Sequence, residues 1–323
     1  MHVLILGGTG FVGAHVVREL DRLGHEVTIF HRGEREPALP RTVRHVHGTF
    51  AELDAHLEGL LALDPHVVVD MVPFTADDVA RVRLFAGSVR RAVVVSSQDV
   101  YLAFGRAWRT ELGPYVPTPL TEESALRRVV VDPAYDKVGV ERAAEAVDGV
   151  ATTIVRLPAV HGPGDEQHRL YGYVRRMDDV RPQIVLDEAV RAWRWTRGYV
   201  EDMGRAIALA AVHPRAAGRV YNVAYEHVLT EPEWVRAIGR AHGWNGEVVC
   251  VPSSELPERL QVSFDAAQDF AVDSARIRHE LGYREAVAFD EALRRTIEWE
   301  REHPPDDVEL DYAAEDEALT PLR

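Results

Sequence analysis

The chain opens with an apolar run that ends directly in a glycine-rich turn, His2-Val-Leu-Ile-Leu-Gly7-Gly-Thr-Gly10-Phe-Val-Gly13, and continues into the helix-like Ala14-His-Val-Val-Arg-Glu-Leu20. The spacing of Gly7, Gly10 and Gly13 constrains the fold. The first glycine permits a tight turn, the second leaves bare backbone for a pyrophosphate, and the third lets the following helix pack close to its strand. A helix starting there offers free N–H groups and a positive dipole end to phosphates. The pattern predicts a dinucleotide site on Gly7, Thr9, Gly10, Phe11, Val12 and Gly13.

Strand and helix patterns alternate after this turn. Glu26 to Phe30, Val43 to His47, Val67 to Asp70, Ala92 to Ser96 and Thr152 to Leu157 read as further strands. Ala51 to Leu63, Thr75 to Ala86 and Tyr135 to Ala146 read as helices between them. This alternation predicts an α/β fold, a Rossmann-like doubly wound parallel sheet with right-handed crossovers. The pattern changes after Gly162-Pro-Gly164. A helix is expected at Val200 to Ala211, a late sheet strand at Arg219 to Val223, and helices at Glu231 to His242, Ala275 to Leu281 and Phe289 to Glu302. Thr230 is an N-cap, Pro232 fits the first turn, and Gly282 ends its helix. The expected organisation is a dinucleotide-binding domain over 1–165, with returning segments near 199–225, a smaller mixed α/β substrate cap over 166–302, and an acidic tail over 303–323. That tail reads as a loosely attached, solvated end.

The formal charge of −15 opposes nonspecific binding to nucleic acid or an anionic membrane. No apolar run approaches the roughly 18–20 residues that span a bilayer, and a core strand at the N-terminus leaves no room for a signal peptide. The single cysteine, Cys250, excludes an internal disulfide framework and fits a reducing compartment. A cytoplasmic protein with a small-molecule substrate is expected, and a homodimer is allowed.

At the end of the second strand an acidic residue selects adenosine ribose hydroxyls, whereas arginine accommodates a 2′-phosphate. Here the chain reads Phe30-His31-Arg32-Gly33; Arg32 reads as a guanidinium fork for a phosphate or as part of a solvated basic turn, and the fork favours NADP(H), with NAD(H) the alternative. The fifth strand runs into Ser96-Ser97-Gln-Asp99-Val100-Tyr101, where a serine hydroxyl meets substrate oxygen or merely satisfies strand-end backbone. Lys137 in Tyr135-Asp-Lys137-Val-Gly-Val-Glu141 either holds a ribose and lowers a tyrosine pKa or forms a solvated pair with Glu141. His45 and His47 alternate on a strand and His161 and His168 lie seven apart, but no Cys joins them and no metal-ligand spacing emerges. No metal site is expected. The absence of a G-x-S-x-G elbow argues against a serine hydrolase.

In their order along the chain these segments resemble the extended short-chain dehydrogenase/reductase superfamily, in its NAD-dependent epimerase/dehydratase branch. The likeness extends from Met1 to about Glu302. It also rests on Arg156-Leu-Pro-Ala-Val-His-Gly-Pro-Gly164, Tyr199-Val-Glu-Asp202, Gly218-Arg-Val-Tyr-Asn-Val223 and Leu281-Gly-Tyr283. The resemblance implies a Ser/Tyr/Lys catalytic set and a nicotinamide cofactor: Ser97 orients substrate oxygen, Tyr135 transfers the proton and Lys137 holds the ribose. It extends the cofactor-lining set to His31, Arg32, Asp70, Met71, Val95, Ser96, Lys137, Pro158 and Val160. The expected substrate residues are Ser97, Tyr101, His161, Trp193, Trp195 and Arg197.

Three departures stand out. Pro133 occupies the family's tyrosine position, and Tyr135 lies only two residues before Lys137, about 200° around a regular helix. Pro133 suits a helix entrance, so the helix is expected to start after Tyr135 and its ring to swing inward. His161 replaces a tyrosine of the family's Y-G-P turn, and Trp195 stands nearest the place of an arginine that binds a sugar nucleotide's diphosphate. The expected activity is that of an NADP(H)-dependent oxidoreductase or epimerase acting on a hydroxyl or carbonyl of a polar, sugar-derived compound. The alternative is a catalytically impaired cofactor-binding sensor.

Overall fold

The computed structural model describes residues 1–306 and 308–320. Its strands, in chain order, are β1 (His2–Leu6), β2 (Glu26–His31), β3 (Arg44–His47), β4 (Val67–Asp70), β5 (Arg91–Ser97), β6 (Ala151–Leu157), β7 (Ala159–His161), β8 (Gln183–Asp187), β9 (Arg197–Tyr199), β10 (Val220–Asn222) and β11 (Glu247–Val251). The helices are α1 (Gly13–Arg22), α2 (Leu53–Leu61), α3 (Ala80–Arg83), α4 (Leu102–Ala107), α5 (Lys137–Glu145), α6 (Tyr171–Asp178), α7 (Val200–Val212), α8 (Glu231–His242), α9 (Ala275–Leu281), α10 (Phe289–Glu302) and α11 (Tyr312–Leu319).

Every residue of β1 is buried, because the strand lies in mid-sheet with cover on both faces, as an unbroken apolar run requires. Its period of two divides the core. Val3 and Ile5 pack with Val16, Val17 and Leu20 of α1, and Leu4 and Leu6 pack with Leu53 and Leu60 on the other side. The central sheet has seven strands in the order β10-β6-β5-β4-β1-β2-β3, and its recorded pairings are parallel. The fold is therefore a Rossmann-like α/β sheet. Chain order reverses between β1 and β4, so a crevice opens beyond the C-terminal ends of the strands there. The cap adds two small parallel pairs, β8 with β11 and β7 with β9.

Local signals set most helix ends. Thr230 and Glu233 form a reciprocal capping box on α8, with Gly243 in the left-handed conformation behind it. α5 begins at Lys137 rather than at Tyr135, because Asp136 caps the Gly139 N–H at 2.9 Å. The helix expected over Thr75 to Ala86 is a 3₁₀ turn, Ala76–Val79, followed by the short α3.

The expectation of a solvated acidic tail is corrected. Residues Tyr312–Leu319 form α11, whose Ala314, Ala318 and Leu319 are buried. Glu315 is 1% exposed and meets Arg176 at 2.6 Å, Asp316 meets Arg181 at 2.5 Å, and Asp311 pairs with Arg259. Acids read as solvated in isolation find arginines from distant segments. Among the described residues no helix is long and apolar enough to cross a membrane.

Candidate active site

The glycine turn leaves β1 with Gly7 at φ +88°, a conformation that a side chain resists. A Cβ on Gly13 would lie 3.0 Å from the Gly8 backbone, so α1 approaches the turn as closely as backbone allows. A Cβ on Gly10, in contrast, would meet nothing within 4 Å; this is open space over bare backbone. α1 has no side-chain N-cap; its Ala14 and His15 N–H groups bond back to the Gly10 and Val12 carbonyls at 3.1 and 3.0 Å, so the positive end of the helix dipole is what the turn presents to a phosphate. A pyrophosphate fits this cradle.

A cavity of about 340 Å³ follows the turn toward the end of β2. Gly7, Thr9, Gly10, Phe11, Val12, Gly13, His31, Arg32, Met71 and Val95 line it, together with Gly33, Glu34 and Arg35. Arg32 is exposed and pairs with Glu34 at 3.1 Å. A second cavity shares Phe11, Val12, Val95 and Leu157 with the first and adds Ser96, Ser97, Tyr135, Lys137, Pro158, Val160, Asp165, Glu166 and Arg169. Asp70 lies outside both linings, and its expected cofactor contact is corrected. It is fully buried, accepts the Val72 N–H at 3.1 Å and faces Arg81 at 3.2 Å. Burial pushes its carboxyl up to about 6, with Arg81 opposing.

Tyr135 sits in a turn whose N–H bonds back to the Asp132 carbonyl at 3.0 Å, ahead of α5. Its phenol lies against Ser97 and Asp99. The spacing that departs from a regular helix thus delivers the ring to the serine, because Tyr135 is outside the helix. Burial, then the Asp99 carboxylate, raises the Tyr135 pKa and keeps the phenol protonated. Lys137 is buried; its Nζ donates to Pro73 O at 2.6 Å and Val95 O at 3.3 Å and stands 5.5 Å from the Tyr135 ring centre. Burial holds its pKa down to about 8, against the pull of Asp99 and Asp70. Asp99 is pushed up by burial and held back by Arg127, 3.9 Å away.

The solvated Lys137–Glu141 pair does not form. Glu141 is 2% exposed and accepts from Arg156 Nε at 2.9 Å, Arg156 Nη2 at 2.6 Å and Ser96 Oγ at 2.6 Å. This network ties α5 to β5 and β6 and so fixes the helix that carries Lys137.

The expected substrate wall is largely rearranged. Tyr101 is fully buried; it donates to Asn222 Oδ1 at 2.7 Å and accepts from Arg156 Nη1 at 2.9 Å. His161 is fully buried between Thr296 (3.0 Å) and the Tyr225 hydroxyl (3.0 Å), and burial holds its pKa down to about 3. Both are core residues and do not line the cleft. Arg197 is spent on Glu231 at 2.6 Å and lies over the Trp234 ring. Trp195 packs between Trp108 and Trp193. Trp193 lines a separate cap cavity with Arg109, Asp187, Asp265 and Asp269. Asp99, Asp165 and Arg169 belong to the site environment but carry no motif of their own. At the sheet edge His31, His45 and His47 meet Glu36, a convergence that spacing along the chain does not display.

Fold and cleft define a nicotinamide-dinucleotide enzyme of the extended Rossmann type, and comparison with known proteins agrees. Residues 3–224 match the model of the NAD dependent epimerase/dehydratase family. The chain is 31% identical to 2′-dehydrokanamycin reductase of Streptomyces kanamyceticus, over 81% of this chain and 72% of that protein. It is 24% identical to the chloroplast stem-loop binding protein of 41 kDa b of Arabidopsis thaliana, over 90% and 77%. The dTDP-glucose 4,6-dehydratase of Bacillus anthracis in complex with NAD superposes with a TM-score of 0.69 at 18% identity, over 94% and 97% of the two chains. The chain belongs to the NAD-dependent epimerase/dehydratase family. It is an enzyme of that oxidoreductase type.

Proposed function

We propose that the protein is an NADP(H)-dependent reductase of a ketone on a sugar-derived, amine-bearing substrate. The observation that carries this reading is the meeting of Ser97, Tyr135 and Lys137 in a cavity continuous with the glycine cradle. The nicotinamide, when bound, supplies the hydride for the carbonyl carbon. The Ser97 hydroxyl orients the carbonyl oxygen, and the Tyr135 phenol gives that oxygen its proton. The Lys137 ammonium holds the ribose and steadies the phenolate that results. A phenol kept protonated by burial and Asp99 can serve as the proton donor of a carbonyl reduction. The same placement of Tyr135 weighs against the impaired-sensor alternative.

Charge pairing supports the substrate class. In and near the cleft Arg169 meets Asp165 at 2.5 Å, Arg194 meets Asp269 at 2.5 Å and Arg197 meets Glu231 at 2.6 Å. A sugar diphosphate would have to break one of these pairs, whereas the cap cavity carries Asp187, Asp265 and Asp269 against Arg109 in its lining, an acid-rich wall that suits an ammonium group. The Streptomyces reductase acts, by its name, on an oxidised aminoglycoside. The NADP(H) reading is supported by Arg32 and Arg35 at the end of β2, whose pairs with Glu34 and Glu166 are exposed on both sides and screened by solvent. The test is consumption of NADPH or NADH with a keto-aminosugar and with a UDP- or dTDP-hexose, for the wild type and Arg32→Ala. The keto-aminosugar with NADPH is expected to give the highest kcat/KM. Arg32→Ala should cost about 1.5–3 kcal/mol of NADPH affinity and leave NADH affinity unchanged. Preference for the nucleotide sugar, or for NADH, would reject the corresponding half of the proposal.

A further inference from the structure

At the outer edge of the sheet three imidazoles share one face. His45 and His47 are two residues apart on β3 and so point the same way. The parallel register sets His31 of β2 directly beside His47. The His31 ring centre lies 5.1 Å from that of His45 and 4.7 Å from that of His47. Glu36, from the loop between the two strands, reaches His47 Nε2 at 3.0 Å. One ligand atom from each of the four residues lies within 4.8 Å of all the others. From this geometry we infer a binding site for a single first-row divalent transition ion, Zn²⁺ being the reference case, with His31, His45, His47 and Glu36 as ligands.

The chemistry of the donors selects the ion. Three imidazoles and a carboxylate suit Zn²⁺, Co²⁺ or Ni²⁺, whereas Mg²⁺ and Ca²⁺ demand oxygen. Ligands about 2.0–2.1 Å from Zn²⁺ in a tetrahedron stand roughly 3.4 Å apart, so the side chains need close by only an ångström or so. His31 Nε2 faces His45 Nδ1 at 3.0 Å, and His31 Nδ1 accepts the Gly33 N–H at 3.2 Å. Ligation through Nε2 moves the ring proton to Nδ1, so the ion releases the Gly33 contact and clamps the β2–β3 loop. His45, His47 and Glu36 are exposed, which gives the ion an entry path.

The experiment uses the untagged full-length chain without nucleotide. After equilibration with Zn²⁺ and dialysis, elemental analysis should find one zinc per chain. Titration with Co²⁺ should give the intense visible absorption of a tetrahedral site, displaced by Zn²⁺ and unaffected by excess Mg²⁺. His45→Gln, His47→Gln and Glu36→Gln should each weaken binding by more than the roughly 10–100-fold typical of losing an outer-shell partner, while His25→Gln leaves it unchanged. Circular dichroism checks the folding of each variant. Should a variant unfold, the cobalt spectrum of the wild type alone decides. A weak octahedral spectrum, no zinc retained, or equal affinity in folded His45→Gln and wild type would overturn the site.

Discussion

On the cofactor side of the cleft, contacts follow from backbone geometry at the ends of β1, β2, β4 and β5. On the cap side, Arg194 and Arg197 are already committed to acids. The cradle is built of turns and helix N–H groups, and an open approach over Gly10 leaves it ready for a phosphate. The cap carries as much positive charge, yet Arg194, Arg197 and Arg169 meet carboxylates within 2.6 Å. The open cradle therefore suits an anionic group, and the acid-rich cap cavity suits a polar or cationic molecule.

The largest effect expected on this contrast comes from Tyr135→Phe, which removes one hydroxyl at the junction of the two halves. Turnover should fall by roughly 10²–10⁴, with cofactor affinity unchanged because the cradle is untouched. The wild type should also show an alkaline limb. Lys137 carries its charge below about pH 8, so reduction should decline as pH rises through that value and the phenolate loses its neighbouring cation. A variant with full turnover would mean that the proton comes from elsewhere, Asp99 being the nearest carboxyl.

Next in size is Glu141→Gln. Arg156 would keep the Tyr101 hydroxyl and the Glu122 carbonyl as acceptors but lose the carboxylate it pairs with in a buried setting. Removing one member of such a pair costs about 3–5 kcal/mol, and the remaining acceptors place this case toward the lower figure. Denaturant unfolding measures it. A loss below about 1 kcal/mol would show that the network positions α5 without supporting the fold.

The same contrast explains what could be read in advance. The glycine turn, the parallel sheet and the caps of α8 and α9 depend on local spacing, and the sequence carries them openly. The place of Tyr135 ahead of its helix was legible too, because Pro133 lies beside it. Tyr101 and His161 were misplaced because their partners, Asn222 and Arg156 for one and Tyr225 and Thr296 for the other, stand up to 135 residues away. The tail acids were misread for the same reason. The histidine cluster escaped notice because His31 joins His45 and His47 only through strand register, which no ligand-spacing rule contains.

The smallest effect, and the sharpest test of the cap, is Arg194→Ala. The Arg194 side chain is 43% exposed and Asp269 22%, so solvent screens the pair and its loss should cost no more than about 1 kcal/mol of stability. Its consequence for binding has a definite sign. Asp269 lines the cap cavity beside Trp193; without the Arg194 guanidinium its carboxylate keeps the Thr118 hydroxyl and the residue-194 N–H but loses its cation, and the cavity becomes more acidic. A cationic substrate should then bind as well or better, with a lower KM and an unchanged kcat, since Ser97, Tyr135 and Lys137 are not involved. An anionic substrate should bind worse, having lost the one guanidinium it could have recruited by displacing Asp269. A raised KM for the keto-aminosugar would mean that Arg194 itself contacts substrate, and the cap would then have to be read as an anion site held closed by its own acids until substrate arrives.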